Sequence, residues 1–372
     1  MHPGRLDSLT GMRFLATLPV LLIHVGSNFF GPPWLRAAFG YGYIGVSFFF
    51  ILSGFVLTWS LHEQMPARRF WWLRFARIWP AQAVVAALAM ALLQQAQPPS
   101  WPGGAADFLL LQSWWPSSSV YFSGNGVSWS LSCEAFFYLL FPAIIIGLRR
   151  LEGPGLAIVT GCVLATLALI PAMGELFGLS AQLRNWLFFI LPGYRLLEFM
   201  FGMILARAVR RGLRMPHPGA AAAVATLTLV GLLSVLVWFG LNYGMYPSRP
   251  WMALLVLPIF GALVLTGATV DLRGAASWLA SRPLQWLGAI SFALYLIHQP
   301  LFRLTQGWGW WPARSDMLGA AAFAAFVLLA VIVAGLLHHL VEKPIERRLR
   351  AVPVGVKSPR SQQRPAAIMP AA

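Results

Sequence analysis

Apolar stretches of about twenty residues recur along the whole chain, separated by short segments rich in polar residues, proline or glycine. A helix of that length crosses the hydrocarbon core of a bilayer. The pattern therefore predicts ten membrane-spanning helices, the sixth and ninth of them interrupted by Pro192 and Pro300. Their approximate ranges are 14–30, 42–61, 78–96, 128–148, 155–175, 186–206, 219–240, 251–270, 286–304 and 317–340.

The composition agrees with a membrane protein and excludes an ordinary soluble enzyme. Of the 372 residues, 58% are hydrophobic and only 10% are charged. Because the apolar runs are long and do not alternate with polar positions, they favour helices over a β-barrel. We therefore predict an all-α, polytopic helical bundle with one transmembrane domain over residues 1–350. Residues 351–372 have little to bury and are predicted to form a disordered tail.

The basic residues are unevenly distributed between the two sides of the predicted bundle. All but six of the 27 Lys and Arg residues lie on the side that carries both chain ends. The six exceptions are Arg36, Arg184, Arg195, Arg249, Arg303 and Arg314. By the positive-inside rule, both termini are predicted to be cytoplasmic, as in a bacterial inner-membrane protein. The net charge of +16 is thus explained by topology and by membrane lipid, without nucleic acid as a partner.

His24 is the one ionisable residue within the first predicted span, 14–30. It lies about ten residues into an apolar stretch, so at ~1.5 Å per residue we expect it near the middle of the bilayer. A histidine there can be a general base, since imidazole titrates near neutral pH, or it can hydrogen-bond a neighbouring helix. Because ionisable groups at membrane depth are costly, function is the first hypothesis.

Glu134, Arg195 and Glu198 are further candidates among the ionisable residues inside predicted spans. Glu134 lies in the fourth span, and Arg195 and Glu198 lie three residues apart in the sixth, so they share one helix face. Arg195 and Glu198 can form a structural ion pair or face an acceptor-binding cavity. The two cysteines, Cys133 and Cys162, fit no metal or disulfide spacing and are interpreted as small hydrophobic residues.

Two connecting segments carry candidate chemistry. Arg74 and Arg77, in the predicted cytoplasmic loop RRFWWLRFARIWP, are one helical turn apart. Two guanidinium groups so placed can bind phosphates bidentately, although a basic loop that only sets topology is the alternative. The segment 97–127 contains no Lys or Arg and is rich in Trp, Ser, Gly and Pro. It is either an interfacial loop or a lid that stacks on sugar rings.

Several segments together resemble the acyltransferase 3 family of integral membrane acyltransferases, and the resemblance covers almost the whole chain. They are LDSLTGMRFLA with His24, GYIGVSFFFILSGFVL, LRFARIWP, WSLSCEAFFYLLFP, GYRLLEFMFGMILA, ISFALYLIHQPL and VEKPIE. The chain departs from the usual pattern in LTGMRF, where LxGLRG is common, and around Glu134, where two acidic residues are frequent. Members of this family acylate hydroxyls of envelope sugars, exopolysaccharides and some small molecules.

The resemblance implies roles for His24, Glu342, Arg13, Arg74 and Arg77, and the roles of Asp7 and of the acceptor-side residues are a separate hypothesis. His24 would be catalytic, with Glu342 or Asp7 as the carboxylate that orients it. Arg13, Arg74 and Arg77 would bind the donor, an acyl-CoA such as acetyl-CoA. The acceptor side would include Tyr295 and His298, together with Glu134, Arg195 and Glu198. No metal is expected.

These implications lead to one hypothesis and two alternatives. The chain would transfer a short acyl group, most simply acetyl, to a hydroxyl of an envelope saccharide or exopolysaccharide. A macrolide-like small molecule is the alternative acceptor. A transporter or flippase of a lipid-linked substrate is the alternative of another class, although no internal repeat supports it. The oligomeric state stays open, and a homo-oligomer is compatible with the sequence.

Overall fold

A computed structural model of the chain describes residues 4–26, 32–62, 65–92, 101–311 and 317–354. Within these ranges the chain is helical and contains no β-strand. The helices are α1 Asp7–Val25, α2 Pro33–Phe39, α3 Ile44–Ser60, α4 Ala67–Leu92, α5 Trp101–Phe108, α6 Ser118–Tyr121, α7 Trp129–Arg150, α8 Gly153–Leu176, α9 Ala181–Asn185, α10 Pro192–Arg210, α11 Pro218–Tyr243, α12 Arg249–Leu272, α13 Arg282–Gly307, α14 Met317–Leu337 and α15 Lys343–Ala351. Residues Trp186–Ile190 and His338–Glu342 form π-helical turns, and Gln112–Trp114 and Trp278–Ala280 form 3-10 turns.

Ten helices or joined helical runs in the described part of the chain are long and apolar enough to cross a membrane. This confirms the predicted all-α membrane bundle and the predicted number of spans. Because consecutive spans alternate in direction, both chain ends lie on one face of the bundle, which we call the terminal face. Contacts near the two ends agree with this: Trp59 Nε1 donates to the carbonyl of Gly4, and Arg69 donates to the carbonyl of Arg350. Residues 355–372, most of the predicted tail, lie outside the described residues.

The fourth helix corrects the interpretation of Arg74 and Arg77 as loop residues. Helix α4 begins at Ala67, directly after Pro66, and continues through Pro80, so both arginines lie within it. The charged side chains lower the local hydropathy without ending the helix, because a neighbouring helix supplies carboxylates. Arg77 forms ion pairs with Glu342 and Glu346 of the C-terminal segment.

The position of His24 also differs from the expectation. Helix α1 begins at Asp7, whose carboxylate interacts favourably with the positive end of the helix dipole. Polar groups in the first turn of the helix form hydrogen bonds with neighbouring residues. The Ser8 hydroxyl, for example, donates to Asp271 at 2.6 Å. His24 is therefore the last residue but one of the helix, and it lies near the face opposite the chain ends. At ~1.5 Å per residue it is ~17 Å from Arg13 along the axis.

The two prolines within predicted spans have different consequences. Leu191 adopts an extended conformation, and Pro192 is the first residue of α10, so the sixth span is divided into a π-helical turn and a new helix. Pro300 lies inside α13, which continues without a break from Arg282 to Gly307. Only the first of the two prolines therefore interrupts a span.

Close crossing of α3 and α10 forms the centre of the bundle. A methyl group added to Gly54 would collide with the carbonyl of Phe199, and one added to Gly202 would collide with the carbonyl of Ile51. The two glycines thus lie on opposite sides of one contact, where only hydrogen side chains let the backbones approach. Small residues at such crossings are the usual means of helix association in membranes, where dispersion contacts replace the hydrophobic effect.

We expect Gly202→Val to lower the thermal unfolding midpoint of the purified protein, because the added side chain must force α3 and α10 apart. Overpacking of this kind costs about 1–3 kcal/mol or more. Gly231→Val is the matched control, since a Cβ at this exposed glycine of α11 meets no atom within 4 Å. An equal loss of stability in the two variants would contradict the importance of the crossing.

Candidate active site

His24 is held by two hydrogen-bonding contacts through one ring nitrogen. Its Nδ1 lies 2.7 Å from the carbonyl oxygen of Val20, one helical turn earlier, and 3.2 Å from Nε2 of His298. The two imidazole rings are 5.1 Å apart at an angle of 60°. His298 is fully buried on α13, and its own Nδ1 lies 3.2 Å from the carbonyl of Leu294. The histidine predicted as an acceptor-side residue is thus the direct neighbour of the predicted base.

These contacts assign the tautomers of both rings. A carbonyl oxygen only accepts, so the 2.7 Å contact with Val20 requires a proton on Nδ1 of His24. The contact between His298 Nδ1 and Leu294 assigns a proton to that nitrogen in the same way, which leaves its Nε2 as an acceptor. In the neutral ring of His24, Nε2 is therefore the unprotonated nitrogen, the form that a general base requires.

His24 lines a cavity of about 660 Å³ near the face opposite the chain ends, and we call it the His24 cavity. Its wall combines aromatic, small and hydroxyl-bearing residues with two arginines. The lining residues are Val20, Ile23, His24, Tyr43, Val46, Ala89, Ser118, Ser119, Phe122, Ser123, Gly124, Gly126, Val127, Trp129, Phe189, Arg249, Tyr295, Gln299 and Arg303. The volume is sufficient for a sugar-sized ligand.

The segment between α4 and α7 forms one wall of the His24 cavity, through residues 118–127. It is held in place by Asp107, a buried carboxylate in a segment with no other acidic residue. Oδ1 of Asp107 accepts from the side chains of Gln82, Gln112 and Ser128, and Oδ2 accepts from the backbone N–H of Asn125 at 3.3 Å. The segment is thus more than an interfacial loop, since it shapes the cavity at which His24 lies.

A second, smaller cavity of about 140 Å³ lies toward the terminal face, and we call it the arginine cavity. Three predicted donor-binding residues, Arg13, Arg74 and Arg77, come together there from α1 and α4. Glu134 and Tyr138 of α7 also line it, and the Tyr138 hydroxyl donates to Glu134 Oε2 at 3.2 Å. Glu134, predicted for the acceptor side, therefore lies among the donor-side residues.

Charge pairing within the arginine cavity is unequal. Arg77 is bound by Glu342 and Glu346, and Glu342 also accepts from the His338 ring, whose Nδ1 lies 3.0 Å from Oε2. No described carboxylate forms an ion pair with Arg13 or Arg74, and Arg74 Nε is buried without a hydrogen-bond partner. The cavity therefore offers two cationic groups to an anionic ligand.

The two cavities lie back to back and share Val46 and Tyr295 as wall residues. The Tyr295 hydroxyl lies 2.7 Å from Ser130 Oγ and 3.0 Å from the carbonyl oxygen of Val127. Ser130 lines the arginine cavity and Val127 lines the His24 cavity, so this group of contacts spans the partition. A ligand that reached from one cavity to the other would pass this wall.

Four other predicted site residues are placed away from His24. Arg195 and Glu198 are fully buried, form an ion pair of 2.7 Å and line neither cavity. Asp7 lies at the start of α1 and pairs with Arg5. Glu342 binds Arg77 and His338, so in the described part of the chain neither Asp7 nor Glu342 contacts His24. The group that orients His24 is instead the Val20 carbonyl, with His298 beside it.

Sequence reasoning overlooked three residues of the His24 cavity and its wall: Arg249, Arg303 and Asp107. Each had a signal in the pattern. Arg249 and Arg303 are two of the six basic residues on the side that other Lys and Arg avoid, and Asp107 is the single acid of its segment. In the sequence the two arginines count only as exceptions to the charge bias, and Asp107 has no assigned role.

The fold defines an integral membrane protein with two abutting cavities, one lined by the partly buried His24 and the other by three arginines. Comparison with known sequences then identifies its family. The chain belongs to the acyltransferase 3 family, whose profile, described as an acyltransferase domain, matches residues 6–339. It is therefore an acyltransferase, and the family predicted from the sequence motifs is confirmed.

Individual relatives extend this picture. Acyltransferase MdmB of Streptomyces mycarofaciens is 34% identical over 93% of this chain and 92% of its own length. The putative membrane-bound transacylase BcsY of Komagataeibacter xylinus is 29% identical over 91% of this chain and 83% of its own length. The peptidoglycan O-acetyltransferase OatA of Listeria monocytogenes is 25% identical over 80% of the chain, which spans only 49% of that protein. No solved structure matches the chain.

The wall segment should respond to pH through Asp107. Burial raises the pKa of Asp107 to about 7, although hydrogen bonds from Ser128, Asn125 and Gln82 act in the opposite direction. The folded state then holds a proton that the unfolded state loses near its ordinary pKa of 3.8. The stability that this proton contributes is complete below the ordinary value and is lost as the pH rises through about 7.

We therefore expect amide exchange, corrected for its intrinsic pH dependence, to quicken over residues 123–127 between about pH 4 and pH 7 and to level off above it. Asp107→Asn should remove most of this pH dependence, because the amide does not ionise. Glu152→Gln, at an exposed position on the terminal face, serves as the control. The same pH response in wild type and Asp107→Asn would assign the effect to another group.

Proposed function

We propose that this acyltransferase moves a short acyl group, most simply acetyl, from acyl-CoA to a hydroxyl of an envelope or extracellular saccharide. The observation that carries the proposal is the position of His24, with Nδ1 bound to the Val20 carbonyl, in the wall of a sugar-sized cavity that abuts an arginine-rich cavity. One cavity suits a hydroxyl-bearing acceptor and the other suits an anionic donor. The histidine lies where the two ligands can meet.

The arginine cavity is suited to the phosphates of coenzyme A. Arg13 and Arg74 supply guanidinium groups without ion-pair partners among the described residues, and guanidinium binds phosphate bidentately. Arg77 is tied to Glu342 and Glu346 and serves mainly to hold the C-terminal segment against α4. With the positive-inside distribution, the terminal face is the cytoplasmic face of a bacterial inner membrane, where acyl-CoA is available.

The acyl thioester has to extend from the arginine cavity to His24. Arg13 and His24 are ~17 Å apart along α1. The flexible arm of coenzyme A would pass the partition at Val46 and Tyr295, whose side chains line both cavities. Its adenosine phosphates would remain at the arginines. The thioester would then lie beside the acceptor hydroxyl, out of bulk water.

The transfer itself needs one base and no covalent enzyme intermediate. Nε2 of His24 takes the proton of the acceptor hydroxyl as its oxygen attacks the thioester carbonyl. The tetrahedral intermediate collapses, the carbon–sulfur bond breaks, and the imidazolium returns the proton to the leaving thiolate. The Val20 carbonyl, which accepts from Nδ1, stabilises the positive ring and leaves Nε2 for the proton transfer.

The nature of the acceptor is supported by relatives and by the cavity wall. Two relatives are named as peptidoglycan O-acetyltransferases, one of them putatively, and both are longer than this chain. The serines, tyrosines and exposed peptide groups of the wall can hydrogen-bond sugar hydroxyls. A macrolide-like acceptor is the second candidate. A transporter or flippase is less consistent with a family of acyltransferases.

We expect His24→Ala to reduce acyl transfer by about 10²–10⁴-fold, because the general base is lost. His298→Ala should reduce it less, since the Val20 carbonyl still assigns the tautomer. Release of free coenzyme A from acetyl-CoA by the purified protein, with a cell-envelope saccharide fraction as acceptor, measures both. His217→Ala, at an exposed histidine on the terminal face, should leave the rate unchanged. Retained turnover in well-folded His24→Ala would remove the histidine from the mechanism.

Arg13→Gln and Arg74→Gln should weaken binding of coenzyme A, each by roughly 10–100-fold, the size expected for a charge-assisted hydrogen bond. Titration calorimetry with coenzyme A measures the dissociation constant directly. Arg211→Gln is the control, because this arginine is exposed on the same face and lines neither cavity. Unchanged affinity in both cavity variants would return Arg13 and Arg74 to a role in topology alone.

A further inference from the structure

Two arginines in the His24 cavity are unusual for their side of the membrane. In the topology predicted from the sequence, only six of the 27 Lys and Arg residues are assigned to the side opposite the chain ends. Two of these six, Arg249 and Arg303, line the same cavity. The positive-inside bias disfavours cationic residues on this side of the membrane. Topology therefore does not explain why two arginines line one cavity there, and another role is indicated.

Arg249 is held rigidly in the cavity wall. Its guanidinium carbon lies 4.7 Å from the ring centroid of Phe189 and 5.5 Å from that of Tyr43, and one of its nitrogens donates to Asn185 at 3.1 Å. These contacts fix the plane of the group and leave most of its five N–H donors available. Arg249 is also the first residue of α12, where the helix dipole adds positive potential.

Arg303 approaches the cavity from α13, one helical turn after Gln299. It is partly buried, and among the described residues no carboxylate forms an ion pair with it or with Arg249. Gln299 lines the same wall, and its buried Oε1 has no hydrogen-bond partner. Arg249 and Arg303 thus bring positive charge to the cavity without a matching acid.

The described wall of the His24 cavity contains no Asp or Glu. The nearest acid in the wall segment, Asp107, lies behind Gly124 and is occupied by its own hydrogen bonds. Two guanidinium groups in a partly desolvated, acid-free cavity are costly unless a ligand supplies negative charge. A neutral sugar would hydrogen-bond to them without balancing their charge.

We propose that the acceptor bound in the His24 cavity carries an anionic group, a carboxylate or a phosphate ester, which Arg249 and Arg303 bind. The anchored acceptor presents a neighbouring hydroxyl to Nε2 of His24. This inference rests on the proposed function, because it names the substrate class of the same cavity. It distinguishes acidic saccharides from neutral ones.

A pair of probes tests the charge requirement without knowledge of the natural acceptor. Octyl β-D-glucuronide and octyl β-D-glucoside share the ring and the tail and differ at C6, where the first carries a carboxylate. Octyl phosphate supplies an anion without a sugar and represents a lipid headgroup. Dissociation constants are measured by tryptophan fluorescence with the full chain in nanodiscs of zwitterionic lipid.

We expect the glucuronide to bind at least about 10-fold more tightly than the glucoside, with a preference that weakens as salt increases. Arg303→Gln and Arg249→Gln should each remove most of this preference, and Arg303→Lys should retain part of it. Arg36→Gln is the matched control, since this arginine is exposed on the same face and lines neither cavity. Arg249 packs against two rings, so Arg249→Gln can destabilise the fold, and its thermal unfolding midpoint is measured alongside. If Arg249→Gln is unstable, the test of the charge requirement relies on Arg303→Gln.

Three results would overturn the proposal. The first is equal binding of the two glycosides, or no binding of either. The second is a preference for the glucuronide that persists in both arginine variants. The third is tight binding of octyl phosphate without discrimination between the two glycosides. The last result would assign the arginines to lipid phosphate. Coenzyme A release in the same samples is a separate readout: transfer without a charge preference would leave the proposed function standing and refute the inference. A charge preference without acyl transfer to any acceptor, including the envelope fraction, would support anion binding by the cavity and refute the proposed function.

Discussion

The arrangement of both cavities depends on one buried ion pair. Arg195 and Glu198 lie three residues apart on α10 with no exposure to solvent, and Ser47 of α3 contacts both. The guanidinium carbon of Arg195 lies 5.0 Å from the Phe50 ring and 5.1 Å from the Phe189 ring. Phe50 lines the arginine cavity and Phe189 lines the His24 cavity. The ion pair therefore supports both walls from behind.

The cost of burying such a pair explains why its geometry is so restricted. Two charges removed from water regain their solvation energy only if pairing and hydrogen bonding are close to optimal. Here a direct ion pair, a serine hydroxyl and two aromatic faces serve one guanidinium group, while Arg195 Nε and Glu198 Oε2 are buried without a hydrogen-bond partner. The close glycine crossing at Gly54 and Gly202 brings α3 and α10 near enough for these contacts. Packing and electrostatics thus fix the same pair of helices.

Arginines have three different roles in this protein, and the residue type alone does not show which role a given arginine has. Arg195 is structural, because its partners are internal. In our proposals Arg13 and Arg74 bind a donor at one end of the bundle, and Arg249 and Arg303 bind an acceptor at the other. Arg195 differs from the other four in having a carboxylate within ion-pair distance, and that partner lies three residues away on its own helix. The other four are divided by which cavity they line, and that depends on how helices far apart in the chain are packed.

The sequence by itself determined the ten spans, the all-α class and the family, because hydropathy over about twenty residues and short ordered motifs are local properties. It also singled out His24 as an ionisable residue in an apolar helix. Only the tertiary structure decided that α1 begins at Asp7, which moves His24 from the middle of the span to its far end. The hydropathy window ended at the polar residues, whereas the helix continues because Asp271 of another helix satisfies its first turn. The partners of His24 on α13 and of Arg249 on α9 were likewise undetermined. Side chains that meet across a bundle are set by packing between distant segments and leave no periodic signal in the chain.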